Sequence, residues 1–366
     1  MPVVIPAACR TPVAPRGGAF ASLDLNALAV PVLHRLLDLT QVAAEQIDEV
    51  IVSNAMGPGG NPARSVGLAA GLPKRIAGLS IDRQCAGGMD ALLLARQMIL
   101  AGDADVVIAG GVESYSRRPL RLHTFPDGRP PEAYDQAPFT PWPDRDPDMA
   151  EAAAALGLRL EIDRAAQDEW AVDSHAKALA HTPNDQEVVP LAGISSDPFA
   201  RHLTSALCKR AKPITGNITA ANAAVAADAA AFCLVTSESF ARAHGLSGPQ
   251  ILAGATVGDD PTCPGLAPVA AIQRVMARTG TVPKDLRVAE IMEAYAVQAI
   301  ACVQGAGLSA DIVNPGGGAL ARGHPIGASG AINVVRLVHE LRKTSGTGLA
   351  AIAAAGGIGT ALLLSA

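Results

Sequence analysis

Apolar runs of four to eight residues alternate with stretches of helical periodicity along most of the chain. The runs at 106–109 and 349–355 are continuously apolar, and each follows a stretch with helical character, at 89–101 and at 327–342. Continuous apolar runs of this length, separated by helices, are typical of parallel strands buried on both faces of a sheet. The pattern therefore predicts an α/β fold.

The sequence also contains an internal repeat. Residues 46–55 and 285–294 both predict the end of a helix running into a buried strand, and the two segments are 239 positions apart. Cys85 and His324 are separated by the same 239 positions. A glycine-rich helix start, a helix and an apolar strand ending in glycines follow in both places. We therefore expect two duplicated α/β halves packed back to back.

A segment of different character lies between these halves. Residues 115–147 contain five of the eleven aromatic residues of the chain, among many prolines. Long aromatic loops in compact domains commonly form a binding lid or an interface, although ordinary loop packing is the simpler interpretation. We predict an N-terminal half from 1–114 plus 227–247, a loop domain from 115–226 and a C-terminal half from 248–366.

Composition limits the classes of function. Hydrophobic residues make up 49% and charged residues 17% of 366 positions, which indicates a folded protein. A net charge of −5 gives no general attraction to nucleic acid, and no run of about 18 apolar residues predicts a membrane span. The six cysteines are widely spaced without a CxxC pair, which argues against a metal site or disulfides. With no targeting signal in the opening residues, we expect a cytoplasmic protein.

Cys85 and His324 are the candidate catalytic residues. Cys85 lies between a short predicted strand and a glycine-rich helix start, where the helix dipole favours a thiolate. His324 is held between Gly323 and Pro325 at the duplicated helix start. Each residue alone is more often structural, but a Cys–His pair is what nucleophilic acyl chemistry requires.

The glycine pattern that precedes His324 permits another interpretation. Gly316, Gly318 and Ala321 have the spacing of a dinucleotide-binding fingerprint. Pro325 interrupts the expected helix and no acidic residue follows at a strand end, so we reject this interpretation.

Several segments together resemble the thiolase family, in the family's order and over essentially the whole chain. They are Arg10-Thr11-Pro12, Gly17-Gly18-Ala19-Phe20, Gln84-Cys85-Ala86-Gly87-Gly88, Ala109-Gly110-Gly111-Val112-Glu113-Ser114, Asn314-Pro315-Gly316-Gly317 and Gly323-His324-Pro325-Ile326-Gly327-Ala328-Ser329-Gly330. The resemblance implies a five-layer αβαβα core, an inserted loop domain that holds coenzyme A, and a homodimer or homotetramer. It implies no covalently bound cofactor, an acyl-CoA as substrate, and no nucleic-acid or membrane partner.

The resemblance also implies roles for individual residues. Cys85 would carry the acyl group and His324 would be its base, while the backbone N–H groups of Cys85 and Ala355 would form an oxyanion hole. The substrate and coenzyme A pocket would include further positions, namely Met149, Ala224, Met292 and Gly323.

Three positions depart from the family pattern. Met292 stands where the family has an asparagine that holds an oxyanion-hole water, and Ala353 stands where it has a second catalytic cysteine. Ala224 stands where it has a coenzyme-binding serine. The residues therefore predict an acyl-CoA C-acyltransferase that forms an acyl-Cys85 intermediate but has an atypical condensation or thiolysis step. The alternatives are a non-catalytic partner subunit and a thioester hydrolase.

Overall fold

The computed structural model describes residues 2–366 and contains two α/β halves, with a segment of loops, three α-helices and four short strands between them. The elements up to the end of the first half's central strands are β1 (Val3–Arg10), β2 (Ala14–Pro15), α1 (Leu25–Thr40), β3 (Glu49–Ser53), α2 (Pro62–Ala69), β4 (Leu79–Ile81), α3 (Gly87–Ala101) and β5 (Val106–Ser114). The intervening segment contains β6 (Arg121–His123), β7 (Glu132–Tyr134), α4 (Met149–Arg159), α5 (Arg164–Ala180), α6 (Ser205–Arg210), β8 (Pro213–Thr215) and β9 (Ile218–Thr219).

The chain then returns to the first half before it builds the second. The remaining elements are β10 (Ala227–Ser237), α7 (Glu238–Ala243), β11 (Gln250–Gly258), α8 (Ala267–Thr279), β12 (Leu286–Ile291), α9 (Ala296–Gly305), α10 (Ala319–Arg322), α11 (Ile326–Thr344), β13 (Thr347–Ala354) and β14 (Ile358–Ser365). The helices predicted at 89–101 and 327–342 and the strand predicted at 349–355 are confirmed, with ends that shift by one or two residues.

The sheet shows the duplication directly. Its strand order is β12-β13-β14-β11-β1-β10-β5-β3-β4. In the first half β3 is parallel to β5, which is antiparallel to β10, and β10 is antiparallel to β1. In the second half β12, β13, β14 and β11 repeat that order and those directions. The halves meet where β1 and β11 pair at Val4 and Gln250.

Helices cover both faces of each half of this sheet. A buried apolar cluster joins α1 and α2 to the outer face of the first half, and a second joins α8 and α9 to the outer face of the second half. The largest cluster lies between the halves and contains α3 and α11. The predicted arrangement of α, β, α, β and α layers is therefore confirmed.

Two glycines allow the central helices to approach each other. A Cβ atom on Gly88 would lie 2.7 Å from the backbone nitrogen of Ala331, and one on Gly330 would lie 2.6 Å from that of Met89. Real Cβ atoms do not come this close to backbone, so any side chain here would push α3 and α11 apart. Because both catalytic candidates lie at the starts of these helices, this contact sets the distance between them.

Candidate active site

Cys85 lies in a short turn, Gln84–Ala86, between β4 and α3. Gln84 has a φ of 49°, in the left-handed region that residues with a Cβ atom rarely adopt. The Asp82 carboxylate holds this conformation, because its Oδ1 accepts hydrogen bonds from the Gln84 backbone nitrogen at 2.8 Å and from Nε2 at 3.1 Å. A sharp turn fixed in this way presents the Cys85 thiol at the helix start.

Two hydrogen bonds orient His324, one through its backbone and one through its ring. Its backbone nitrogen donates to the Val225 carbonyl at 2.7 Å. Its Nδ1 lies 2.6 Å from Ser329 Oγ, and that hydroxyl donates to the Pro325 carbonyl at 3.0 Å. Since the hydroxyl proton is used on Pro325, Ser329 Oγ accepts from Nδ1–H, and the hydrogen-bond network assigns the free lone pair to Nε2.

That lone pair faces the sulfur. Cys85 Sγ and His324 Nε2 are 3.1 Å apart across the interface between the two halves. Burial raises the pKa of the Cys85 thiol to about 12, although the backbone N–H groups of Cys85 and Ala355 act in the opposite direction. Burial also lowers the pKa of His324 to about 4. The resting pair is therefore a neutral thiol beside a neutral imidazole that can accept its proton.

A buried carboxylate below this pair was not predicted as a site residue. Glu113, at the end of β5, accepts hydrogen bonds from the Asn54 amide at 2.8 Å and from the Gly327 backbone nitrogen at 2.9 Å. It also accepts from the backbone nitrogens of Ala55 and Met56, at 3.2 and 3.3 Å. Burial raises the pKa of Glu113 to about 7 despite these donors. A single carboxylate in an otherwise apolar strand was the available signal.

A cavity of about 340 Å³ opens beside the Cys85–His324 pair. The predicted site residues that line it are Cys85, Met149, Ala224, His324 and Ala355. Met292 and Gly323 lie outside its lining. The Met292 side chain is 1% exposed within the central apolar cluster, and Gly323 (φ 112°) faces the side chain of Ala227.

Ala353 and Tyr295 also line this cavity. Ala353 has no ionisable group, whereas Tyr295 brings a hydroxyl into the same space. Glu293, two residues before Tyr295, does not line the cavity, and both of its carboxylate oxygens accept hydrogen bonds. Its oxygens accept from Ser174 Oγ at 2.7 Å, Asn314 Nδ2 at 2.9 Å and Trp170 Nε1 at 3.0 Å.

The loop segment predicted to be a lid or an interface contributes to this cavity. Tyr115, Arg121, Asp135, Gln136, Ala137 and Phe139 are among the lining residues. Within residues 2–366 no group of three or more His, Cys, Asp or Glu side chains has the geometry of a metal site. No helix in the same described range is long and apolar enough to cross a membrane.

Comparison with known proteins decides the family. A model described as Thiolase, N-terminal domain, matches residues 3–239, and one described as Thiolase, C-terminal domain, matches residues 248–366. The chain belongs to the thiolase family. This thiolase is 38% identical to "Putative acetyl-CoA C-acetyltransferase YhfS" of Bacillus subtilis (strain 168), over 99% of each chain.

Solved structures agree with this assignment. A crystal structure of the Bacillus anthracis acetyl-CoA acetyltransferase is similar with a TM-score of 0.91 and 33% identity, over 100% of this chain and 98% of that one. The human mitochondrial 3-ketoacyl-CoA thiolase in complex with CoA is similar with a TM-score of 0.92 and 29% identity, with the same coverage. The chain therefore has the thiolase fold and is an acyltransferase of the thiolase type.

Proposed function

We propose that this thiolase is an acyl-CoA C-acyltransferase that works through an acyl-Cys85 intermediate, with an atypical condensation or thiolysis step. The observation that carries the proposal is the 3.1 Å contact between Cys85 Sγ and the unprotonated Nε2 of His324 at the edge of the cavity. The CoA-bound human relative supports a coenzyme A thioester as the substrate.

Acylation follows from this contact. His324 Nε2 accepts the thiol proton while Cys85 Sγ attacks the thioester carbonyl carbon. The backbone N–H groups of Cys85 and Ala355, which already act on the sulfur, are suited to stabilise the oxyanion that forms. When the bond between the carbonyl carbon and the coenzyme A sulfur breaks, the protonated His324 returns its proton to the leaving thiolate. The products are acyl-Cys85 and free coenzyme A.

The second half-reaction lacks two groups that the resemblance assigns to it. Condensation requires a base that removes a proton from the α-carbon of a second thioester, and Ala353 provides none. It also requires donors that stabilise the resulting enolate, and the Met292 thioether donates no hydrogen bond. Losing a positioned base typically costs about 10²–10⁴-fold in rate. We therefore expect acylation to be retained and Claisen chemistry to be slow.

Intact-protein mass spectrometry after mixing with acetyl-CoA tests the proposal. A mass gain of one acetyl group, equimolar release of coenzyme A and loss of both in Cys85→Ser support an acyltransferase. Cys263→Ser is the matched control, since Cys263 is also partly exposed but lies on a different turn. Continuous release of coenzyme A without an acceptor would indicate a hydrolase. No mass gain with any acyl-CoA would indicate a non-catalytic subunit.

A further inference from the structure

The Tyr295 hydroxyl is a hydrogen-bonding group that the proposed acylation does not use. It belongs to the lining of the cavity that contains Cys85 and His324. Within the described residues 2–366 this hydroxyl makes no hydrogen bond to a protein group. A half-buried phenol without a protein partner forms its hydrogen bond with water or with a ligand.

The backbone fixes Tyr295 relative to His324. Residues 294–296 pair with 222–224, through hydrogen bonds of 2.9 Å from the Ala224 nitrogen to the Ala294 carbonyl and from the Ala296 nitrogen to the Asn222 carbonyl. Two residues further along, the same segment binds the His324 nitrogen through the Val225 carbonyl. The base and the phenol are thus attached to one short extended segment, so their separation is set by backbone pairing.

The wall around Tyr295 is apolar apart from Gln298, whose Nε2 has no hydrogen-bond partner within the described residues. Its ring packs against the cluster formed by α4, α9 and their neighbours. The cavity residues on this side are Met149, Ala152, Ala153, Leu156, Pro264 and Gly265. A mainly apolar wall that carries the Tyr295 hydroxyl and the Gln298 amide can accommodate a short acyl chain that has an oxygen at the matching position.

The hydroxyl is suited to donate its proton in a hydrogen bond and is unsuited to act as a base. Burial, and then the charges of Asp148 and Cys85, raise the pKa of Tyr295 well above its usual value. The phenol therefore stays protonated throughout the neutral range, and it remains available as a donor to an uncharged oxygen acceptor.

We propose that the Tyr295 hydroxyl binds an oxygen on the acyl chain carried by Cys85, so that the enzyme prefers short hydroxyacyl thioesters to alkanoyl thioesters of the same size. The proposal rests on the function proposed above, because it names the class of acyl group that Cys85 takes. The covalent step is unchanged: the bond from Cys85 Sγ to the acyl carbon forms, the coenzyme A thioester bond breaks, and coenzyme A leaves with the proton relayed by His324.

Pairs of acyl-CoAs that differ by a hydroxyl in place of a methyl group provide the test. The pairs are 3-hydroxybutyryl-CoA with 3-methylbutyryl-CoA, and 4-hydroxybutyryl-CoA with pentanoyl-CoA. The rate of Cys85 acylation is followed by intact mass for each compound. We expect the wild-type protein to prefer the hydroxylated member of at least one pair by about tenfold, the usual size of one hydrogen bond to a substrate.

Tyr295→Phe removes the hydroxyl and keeps the ring. The preference ratio should fall to about one in this variant through slower acylation by the hydroxylated compound. Tyr134→Phe is the matched control, because Tyr134 lies on β7 stacked on His123, and its ratio should equal that of the wild type. A wild-type ratio of about one in both pairs, or a ratio unchanged in Tyr295→Phe, would overturn the proposal. Absence of acylation by all four compounds would also overturn the proposal if acetyl-CoA still acylates Cys85, and it would contradict the proposed function itself if acetyl-CoA fails as well.

Discussion

A hydrogen bond between Glu113 and Gly327 joins the two halves near the Cys85–His324 pair. The Glu113 carboxylate, at the end of a strand of the first half, accepts a hydrogen bond of 2.9 Å from the Gly327 backbone nitrogen in the first turn of α11. Gly327 follows His324 by three residues, and the same carboxylate binds the backbone of Ala55 and Met56 at the cavity. One buried acid therefore holds both walls of the site.

The raised pKa of Glu113 predicts an unusual pH dependence of stability. Its folded pKa of about 7 lies above the ordinary value of 4.5, so between these values the folded state binds more protons than the unfolded state. The contribution of this group to the free energy of unfolding is complete below pH 4.5 and is lost as pH rises through 7.

In Glu113→Gln that contribution is absent and an amide N–H₂ meets backbone donors. We expect the variant to be less stable than the wild type by about 1–3 kcal/mol at pH 5, with a smaller difference at pH 8. Denaturant unfolding at the two pH values measures this, with the exposed Glu132→Gln as control. A difference that grows towards pH 8 would contradict the assignment.

Ser329 should control the tautomer of His324. Without the hydroxyl at 2.6 Å from Nδ1, nothing favours the tautomer whose Nε2 lone pair faces Cys85. We expect Ser329→Ala to slow acylation of Cys85 by about 10–100-fold, within the range for a positioned general base. Ser196→Ala, an exposed loop position, is the control. Single-turnover release of coenzyme A reports the rate, and a rate equal to that of the wild type would show that Ser329 plays no part.

The neutral resting pair predicts how Cys85 reacts with alkylating agents. Because burial raises the pKa of the thiol to about 12, the thiolate fraction should rise about tenfold per pH unit across the neutral and mildly alkaline range. Alkylation of Cys85 by iodoacetamide, measured by peptide mass spectrometry, should therefore increase steadily from pH 6 to 10. A plateau near pH 7 would indicate a preformed thiolate–imidazolium pair.

Restoring a thiol at position 353 should restore the second half-reaction in part. Ala353 lines the cavity at the end of β13, where a cysteine side chain would reach the substrate. We expect acetoacetyl-CoA thiolysis by the wild type far below a typical turnover of about 10 per second, and an increase of at least about tenfold in Ala353→Cys. Ala351→Cys, on the same strand but fully buried, is the control. Wild-type turnover at the typical rate would contradict the proposed atypical step.

The aromatic loop segment should form part of an oligomer interface. Leu120 and Leu122, two positions apart, are 76% and 49% exposed there, and neighbouring exposed apolar side chains are typical of an interface, whereas single ones are common on monomers. We expect light scattering to show a dimer or tetramer for the wild type and smaller species for the double variant Leu120→Asp with Leu122→Asp. Leu158→Asp, 78% exposed on α4, should not change the assembly. A wild-type monomer at micromolar concentration would contradict the expected homo-oligomer.

The repeat in the sequence was enough to predict two α/β halves and the partners Cys85 and His324, whereas the five-layer core was an expectation from the family resemblance. Two motif pairs with one offset require matching positions in matching halves, and back-to-back halves bring those positions together. The supporting residues were not predictable in this way. Glu113 receives its donors from residues 58 and 214 positions away, and no local pattern records contacts of that range.

The direction of individual side chains was a second feature that could not be predicted from the sequence. Tyr295 and Glu293 are two positions apart, and residue type alone does not show which of the two side chains reaches the cavity. In the structure four donors hold Glu293 away from the cavity, whereas Tyr295 faces it. Met292, predicted to be a pocket residue, lies in the central apolar cluster. These differences depend on how the strand end turns into α9, which residue types alone do not specify.

The extended segment at 222–226 binds both Tyr295 and His324 through its backbone. A shift of this segment that widened or narrowed the cavity would therefore also move His324. A change in acyl preference would therefore require exchange of single side chains in the cavity while the backbone of this segment stays in place. A change in the backbone of this segment would alter specificity only by also disturbing His324.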